Sequence, residues 1–223
     1  MKKRFLIIYH EEDNDGVCSA AMAKHYLVNE LNIPKEDVLT YPATYAKLDK
    51  LVKNKFYIYG TESPSGITTN VLGNFTNVIM TDISFNDFSG IEKFYEKFGN
   101  DFVWIDHHAP IIQESIKNGL DDKIAGVRDT TRSAILNMYK YLYDPFDNDY
   151  FANKIPSILR YLSAWDSWSY EREGLDFEVC RIINLGVTKL GKLSLDWWYD
   201  NWQRIVRWCL RTRMRTSIPI PSL

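Results

Sequence analysis

Cysteine is scarce in this sequence of 223 residues, and its spacing excludes the usual thiol-based frameworks. The three cysteines, Cys18, Cys180 and Cys209, form no CxxC pair and no other spacing typical of a metal site. Their odd number also argues against a disulfide framework. We therefore expect a protein of a reducing compartment, the cytoplasm.

Long apolar runs are absent as well. Residues 1–4 carry the positive charges that open a signal peptide, but the apolar run behind them stops at His10, too early for a signal sequence. No stretch approaches the roughly 18 apolar residues of a membrane span. The formal net charge of -2 gives no global attraction to nucleic acid or to anionic lipid. We expect a soluble protein without a membrane partner.

Short apolar runs and helical spacing are what the sequence does contain. The runs predict buried strands over residues 5–9, 56–60, 77–80 and 101–105. Helical spacing predicts helices over residues 19–31, 91–98, 133–143, 153–165 and 193–213. Strands that alternate with helices indicate an α/β fold, with a parallel, doubly wound sheet, flanking helices and a helical C-terminal segment.

Acidic residues and histidines directly follow three of the four predicted strands. The segments are His10-Glu11-Glu12-Asp13-Asn14-Asp15, Thr81-Asp82 and Asp106-His107-His108. Three of the four histidines of the chain lie in these segments. Because sites of parallel sheets gather beyond the carboxyl ends of the strands, we expect these side chains to converge.

Imidazole and carboxylate together are the ligands that suit Mn, Fe or Zn. Asp13 and Asp15 alternate along the loop, so they can face two different cations, and Asp82 is a candidate bridge between them. Two divalent ions about 3.5–4 Å apart can activate water and stabilise both sides of a phosphoryl displacement. The pattern thus indicates a two-metal hydrolase.

Four ordered blocks resemble the DHH phosphoesterase superfamily. The blocks are His10 with Asp13-Asn14-Asp15-Gly16, Thr81-Asp82, Asp106-His107-His108 and Ala164-Trp165-Asp166. The superfamily includes RecJ-type exonucleases, the oligoribonuclease and phosphoadenosine-phosphate phosphatase group, and manganese-dependent family II pyrophosphatases. The resemblance implies two divalent metal ions, Mn²⁺ in the first place, with Mg²⁺ or Co²⁺ as alternatives.

The resemblance also implies a role for each matching residue. One ion would be held by His10, Asp13 and Asp82, and the other by Asp15, Asp82, His107 and Asp166. Asp82, Asp106 and His108 would be the catalytic residues, with Asp106 supporting the histidines and His108 facing the phosphate. Substrate contacts would come from His108, Arg128, Arg132 and Ser133. Two residues separate His10 from Asp13, so Glu12 stays an alternative to Asp13 as a ligand.

The domain organisation that we predict is a DHH-type catalytic domain over residues 1–190 and an arginine-rich helical tail over residues 191–223. The tail would be a remnant of the linker to a second, substrate-selecting domain, either in a minimal protein or in a truncated chain. The expected substrate is a nucleotide or short oligonucleotide, cleaved at a phosphodiester or phosphomonoester bond. The alternatives are a pyrophosphatase or exopolyphosphatase and a non-catalytic nucleotide-binding module. A homodimer is compatible with the sequence.

Overall fold

A computed structural model describes residues 3–53, 57–63, 66–71, 74–143, 155–189, 194–202 and 204–205. The strands are β1 (Phe5–His10), β2 (Val38–Ala43), β3 (Tyr57–Ser63), β4 (Gly66–Val71), β5 (Asn77–Thr81) and β6 (Phe102–Ile105). The helices are α1 (Asn14–His25), α2 (Tyr45–Lys53), α3 (Ser89–Phe98), α4 (Ala109–Lys117), α5 (Ala134–Tyr143), α6 (Ser157–Asp166) and α7 (Phe177–Lys189).

Four strands form one parallel sheet in the order β2-β1-β5-β6. The central strand β1 alternates between two hydrophobic layers, because successive side chains of a strand point to opposite faces. Ile7 packs among residues of α1 and α5 on one face, and Ile8 packs among residues of α2, α3 and α4 on the other. The sheet is therefore covered by helices on both sides, which confirms the predicted fold class.

The prediction of a parallel strand over residues 56–60 is wrong. Tyr57–Ser63 pairs with Gly66–Val71 as an antiparallel hairpin outside the main sheet, and residue 56 lies outside the described residues. Only two residues separate the two strands, too few for the crossover that a parallel pair requires. The fourth parallel strand is Val38–Ala43, which lies at the edge of the sheet, where its Pro42 is tolerated.

The predicted helices differ from the observed ones mainly at their ends. Helix α1 begins at Asn14, five residues before the predicted start, because the side chain of Asp13 caps it. Helix α6 begins at Ser157, directly after Pro156. Of the predicted helix over residues 193–213, residues 195–202 are helical and residues 206–213 lie outside the described residues.

No helix in the described part of the chain combines the length and the apolar character needed to cross a membrane. Cys18 and Cys180 are buried free thiols, and Cys209 lies outside the described residues.

Candidate metal centre

The three strands that end in acidic residues or histidines are neighbours in the sheet. Strand β5 lies between β1 and β6, so the segments that follow these strands meet at one edge. The amide of Asp82 donates a hydrogen bond to the carbonyl oxygen of Ile105 at 2.9 Å, which joins the ends of β5 and β6. His10, Asp82 and His107 are therefore brought together although long stretches of chain separate them.

Asp82 lies at the centre of this edge. Its side chain is 2% exposed, with Oδ1 3.2 Å from His107 Nε2 and Oδ2 3.8 Å from His10 Nδ1. Its backbone has φ of 58°, a left-handed conformation that is uncommon for residues other than glycine. Buried Oδ2 has no hydrogen-bond partner among the described residues. Asp82 thus presents one carboxylate oxygen to each of two histidines.

Three groups of candidate ligands lie at this edge, and two of them correspond to the predicted metal sites. His10, Asp13 and Asp82 have candidate ligand atoms within 4.8 Å of one another, and so do Asp15, His107 and Asp166. In the second group, His107 Nε2 lies 3.7 Å from Asp15 Oδ2 and 3.3 Å from Asp166 Oδ2. These six residues are the ones predicted to hold two ions. The structure brings them together, and their role as ligands stays a prediction.

Asp13, rather than Glu12, lies on the side of His10 that faces Asp82. Asp13 Oδ2 is 2.9 Å from His10 Nδ1, the same ring nitrogen that faces Asp82. Glu12 lies 3.3 Å from the other ring nitrogen, and its side chain is 63% exposed. The geometry therefore favours Asp13 as the partner of His10 in the first group.

Gly16 allows helix α1 to approach this loop closely. A β-carbon at position 16 would lie 2.2 Å from the carbonyl oxygen of His10, which is far too short for a real contact. The amide of Gly16 donates to Asp13 Oδ1 at 2.9 Å, so Asp13 caps the helix with one oxygen and faces His10 with the other. Position 16 therefore requires glycine for lack of space.

The buried carboxylate of Asp15 accepts three hydrogen bonds from the start of helix α5. The donors are the hydroxyl of Ser133 at 2.6 Å and the amides of Ala134 and Ile135 at 2.7 and 2.8 Å. The positive end of the helix dipole favours a carboxylate at this position. Helix α5 thereby fixes the orientation of Asp15, and the predicted substrate contact Ser133 is instead a buried partner of that residue.

Asp106 is fully buried behind the histidines. Its Oδ1 accepts hydrogen bonds from the amides of His107 and His108 and lies 2.7 Å from His108 Nδ1. Its Oδ2 accepts a hydrogen bond from the indole of Trp104 at 3.1 Å. Both carboxylate oxygens are therefore occupied, and Asp106 orients the loop and the ring of His108.

Burial and mutual repulsion make this edge unfavourable for several negative charges at once. Burial, together with nearby Asp15 and Asp13, raises the pKa of Asp166 to about 9. Burial raises the pKa of Asp82 well above its ordinary value, and Asp15 and Asp13 add to that rise. Burial also raises the pKa of Asp15, against the lowering effect of His107 and Ser133. A divalent cation would relieve this repulsion, so the donor set and the unpaired oxygen of Asp82 fit metal ions.

The two arginines predicted to bind phosphate differ in their surroundings. Arg128 is buried and donates four hydrogen bonds to oxygens of Trp104, Asp121 and Ile124, so it fastens the chain after α4 to strand β6. This arrangement does not support a phosphate contact by Arg128. Arg132 is 42% exposed and lies 3.6 Å from Asp129, and its substrate contact stays a prediction.

Several residues at the site were missed by the sequence reasoning. The ring of Tyr45 lies 5.8 Å from the ring of His10, and burial, with the charges of Asp106 and Asp82, raises the pKa of Tyr45 to about 12. The side-chain amide of Asn14 donates to Asn184 Oδ1 at 2.8 Å and to the hydroxyl of Thr188 at 3.0 Å. These bonds connect helix α7 to the loop that carries the candidate ligands. Neither contact can be predicted from the spacing of residues in the sequence.

Two clefts open beside the ligands. The smaller, of about 180 Å³, is lined by Asp13, Asp15, Trp165 and Asp166 among others. The larger, of about 590 Å³, runs along Glu11, Glu12 and Asp13 toward Pro42 and Leu195. The candidate ligand Asp13 lines both clefts.

Comparison with known proteins places these features in a family. The family described as "DHH family, N-terminal domain" matches residues 4–161, a range that includes every candidate ligand except Asp166. No curated protein sequence matches the chain. A solved structure, that of an uncharacterized protein from Helicobacter pylori G27, is 13% identical with a TM-score of 0.56. The likeness covers 93% of this chain and 57% of that one, and it supports the fold alone. Since the family match spans well over half of the sequence, the chain belongs to the DHH family.

Proposed function

We propose that this protein is a two-metal-dependent phosphoesterase that hydrolyses phosphodiester or phosphomonoester bonds of nucleotides or short oligonucleotides. The observation that carries the proposal is the position of Asp82, whose two carboxylate oxygens face two separate ligand groups. A single structural ion would need only one such group. Membership of the DHH family, whose domain suggests phosphoesterase activity, supports the same class of reaction.

The residues divide into ligands and groups that act on the substrate. His10, Asp13 and Asp82 would hold one ion, and Asp15, Asp82, His107 and Asp166 would hold the other. Divalent ions at these positions supply positive charge to the phosphoryl oxygens and activate water for attack on phosphorus. Mn²⁺ is the ion that we propose, because the resemblance to the DHH superfamily implies it and the mixed imidazole and carboxylate donor set is compatible with it.

We assign His108 to the substrate, although it also lies within 4.8 Å of Asp82 and His107. Its side chain is 39% exposed, whereas those of His10 and His107 are 14% exposed. The hydrogen bond to Asp106 raises the pKa of His108, against the opposing effect of burial. This shift favours the protonated form of His108, which could donate its proton to a phosphoryl oxygen or to the leaving group.

The charge of the clefts supports a nucleotide ester over inorganic pyrophosphate. Neither cleft has a lysine or an arginine among its described lining residues, and both include carboxylates. A diester carries one negative charge per phosphate, so it tolerates such a lining better than a compact polyanion does. Pyrophosphate would depend on cationic clamps that the described part of these clefts does not provide.

The test is Mn²⁺-dependent hydrolysis by the purified protein and two matched variants. Asp82→Asn removes one charge from the shared ligand, and we expect it to lower kcat by more than about 100-fold. Asp101→Asn makes the same substitution at an exposed residue, whose side chain accepts a hydrogen bond from Asn77 at the far end of β6, and should leave kcat unchanged. Each protein is assayed with a dinucleotide, a nucleoside monophosphate and pyrophosphate.

The outcomes separate the candidate functions. Turnover of pyrophosphate in preference to both nucleotides would assign the site to the pyrophosphatase alternative. Absence of turnover with every substrate, despite bound Mn²⁺, would make the protein a non-catalytic module and contradict the proposal.

A further inference from the structure

An exposed aromatic cluster lies directly beside the candidate metal centre. It consists of Trp165, Trp168, Tyr170 and Phe177, from the end of α6, the following turn and the start of α7. The rings of Trp165 and Trp168 are stacked, with centroids 6.0 Å apart and an angle of 25° between their planes. Trp168 is 70% exposed, the most of any large hydrophobic residue in the described part of the chain.

The exposed position of Trp168 depends on an unfavourable backbone conformation. Its φ is 53°, in the left-handed region that a bulky residue rarely adopts. Hydrogen bonds on either side fix the turn: the amide of Ser169 donates to Ala164, and the amide of Leu175 donates to Tyr170. A strained backbone that leaves most of an indole ring exposed is typical of a binding site.

The cluster is continuous with the ligands of the second ion. Trp165 precedes Asp166 in the chain and lines the cleft of about 180 Å³ together with Asp13, Asp15 and Asp166. Trp168 then extends the aromatic surface from Trp165 toward solvent. A molecule with a phosphate at the ligand groups and a flat ring beside it would contact both parts.

We propose that Trp168, supported by Trp165, is the stacking platform for a nucleobase of the substrate. The inference rests on the proposed function and specifies its substrate as a base-bearing phosphate ester. Since the described lining of the clefts lacks lysine and arginine, affinity for the organic part of the substrate has to come from uncharged contacts. Stacking on an aromatic face provides such contacts, and it tolerates any base because every base has a flat face.

The test compares a dinucleotide with an abasic dinucleotide that has the same phosphodiester but no bases. We expect Trp168→Ala to raise KM for the normal dinucleotide roughly 5-fold to 150-fold, with kcat nearly unchanged. The abasic substrate should show no difference between the variant and the original protein. Trp168→Phe keeps a flat ring and should restore most of the affinity.

Trp197→Ala is the matched control. Trp197 is another exposed tryptophan, at 42%, in the helical stretch over residues 195–202, and its ring contacts Trp198 rather than the aromatic cluster. Its replacement should leave KM for the dinucleotide unchanged. An equal rise of KM in both variants would overturn the proposal, because it would indicate a general effect of removing surface tryptophan.

A second measurement does not depend on turnover. Adenosine, which has no phosphate, should quench the tryptophan fluorescence of the metal-loaded protein, and the quenching should weaken in Trp168→Ala but not in Trp197→Ala. Ribose should have no effect on any of the three proteins.

The two proposals fail in different ways. Failure to hydrolyse any phosphate ester would contradict the proposed function, while quenching by adenosine would still report base binding. Hydrolysis with equal KM for the normal and abasic substrates would contradict the stacking role of Trp168 and would leave the proposed phosphoesterase activity unaffected. A change in oligomeric state of Trp168→Ala with unchanged KM would likewise contradict the stacking role, and would show that the cluster is a protein contact.

Discussion

Gly16 and Asp82 show how single residues hold the candidate metal centre in place. Asp82 adopts a left-handed backbone with a buried, unpaired carboxylate oxygen, and Gly16 leaves the space in which His10 lies. The strained backbone of Asp82 lowers the stability of the metal-free chain, and the lack of space at Gly16 excludes any larger residue. Both features are understandable if the residues serve cations that compensate the cost.

At the residue scale, we expect Gly16→Ala to displace the loop that carries His10. The added methyl group would overlap the carbonyl oxygen of His10, so the free energy of unfolding should fall by about 1–3 kcal/mol and Mn²⁺ affinity should fall with it. Urea unfolding and Mn²⁺ titration would measure the two effects. Gly186→Ala is the control, because no atom lies within 4 Å of its added carbon, and alanine within helix α7 should be neutral or slightly stabilising.

The convergence of the candidate ligands could be predicted from the sequence because strand ends and residue types are both visible there. His10, Asp82 and His107 follow apolar runs whose carboxyl ends meet in a parallel sheet. The roles of Arg128 and Ser133 could not be predicted in the same way. Whether an arginine faces a ligand or bonds to carbonyl oxygens of its own chain depends on tertiary contacts that leave no local pattern.

At the element scale, helix α5 and the ligand Asp15 depend on each other. The start of the helix donates three hydrogen bonds to this carboxylate, which is remote in sequence. Because both carboxylate oxygens are used, the orientation of Asp15 toward His107 is set by the position of the helix. A residue that we predict to bind a metal ion is thus also the cap of a helix.

Removing one of these hydrogen bonds should destabilise the fold. We expect Ser133→Ala to lower the free energy of unfolding by about 1–3 kcal/mol, because it removes one of the two hydrogen bonds that the buried Oδ1 of Asp15 accepts. The control is Thr131→Ala, which removes a hydroxyl-to-carboxylate bond of the same 2.6 Å length at an exposed position. That change should cost less than about 1 kcal/mol. Equal losses in urea unfolding would mean that burial of Asp15 adds nothing.

Elements were predicted best where hydrophobic periodicity was strong. Strands β1, β5 and β6 follow their apolar runs closely, and α3 begins within two residues of its predicted start. Strand β2 was missed because Thr40 and Pro42 interrupt the apolar pattern, which an edge strand tolerates. The apolar character of the Tyr57 run matched a buried parallel strand, and periodicity alone does not distinguish that from a hairpin.

At the scale of the whole molecule, the carboxylates couple stability to pH. The folded state raises the pKa of Asp166 from 3.8 to about 9 and also raises that of Asp82, so the folded chain binds more protons than the unfolded chain between these values. These two carboxyl groups therefore contribute fully to the free energy of unfolding below about pH 4, and their contribution is lost as the pH rises toward 9.

We therefore expect the thermal midpoint of the metal-free protein to decrease as the pH is raised from about 5 to about 8. Saturating Mn²⁺ should raise the midpoint and remove most of the slope, because the cations replace the protons and stabilise the folded state by mass action. Melting curves in EDTA and in Mn²⁺ would measure both effects. Asp166→Asn should flatten the slope in EDTA, and Asp101→Asn should not. A metal-free midpoint that rises over this range would contradict the assignment.

The order of the sheet has a consequence for how the protein acquires its metals. The two groups of candidate ligands draw on α1, α6 and the ends of β1, β5 and β6, which are spread from His10 to Asp166 along the chain. During synthesis neither group is complete until the elements that supply it have docked, and the second group needs α6 as well. We therefore expect metal binding to follow the docking of these elements, because a partly folded chain would hold its carboxylates apart in solvent.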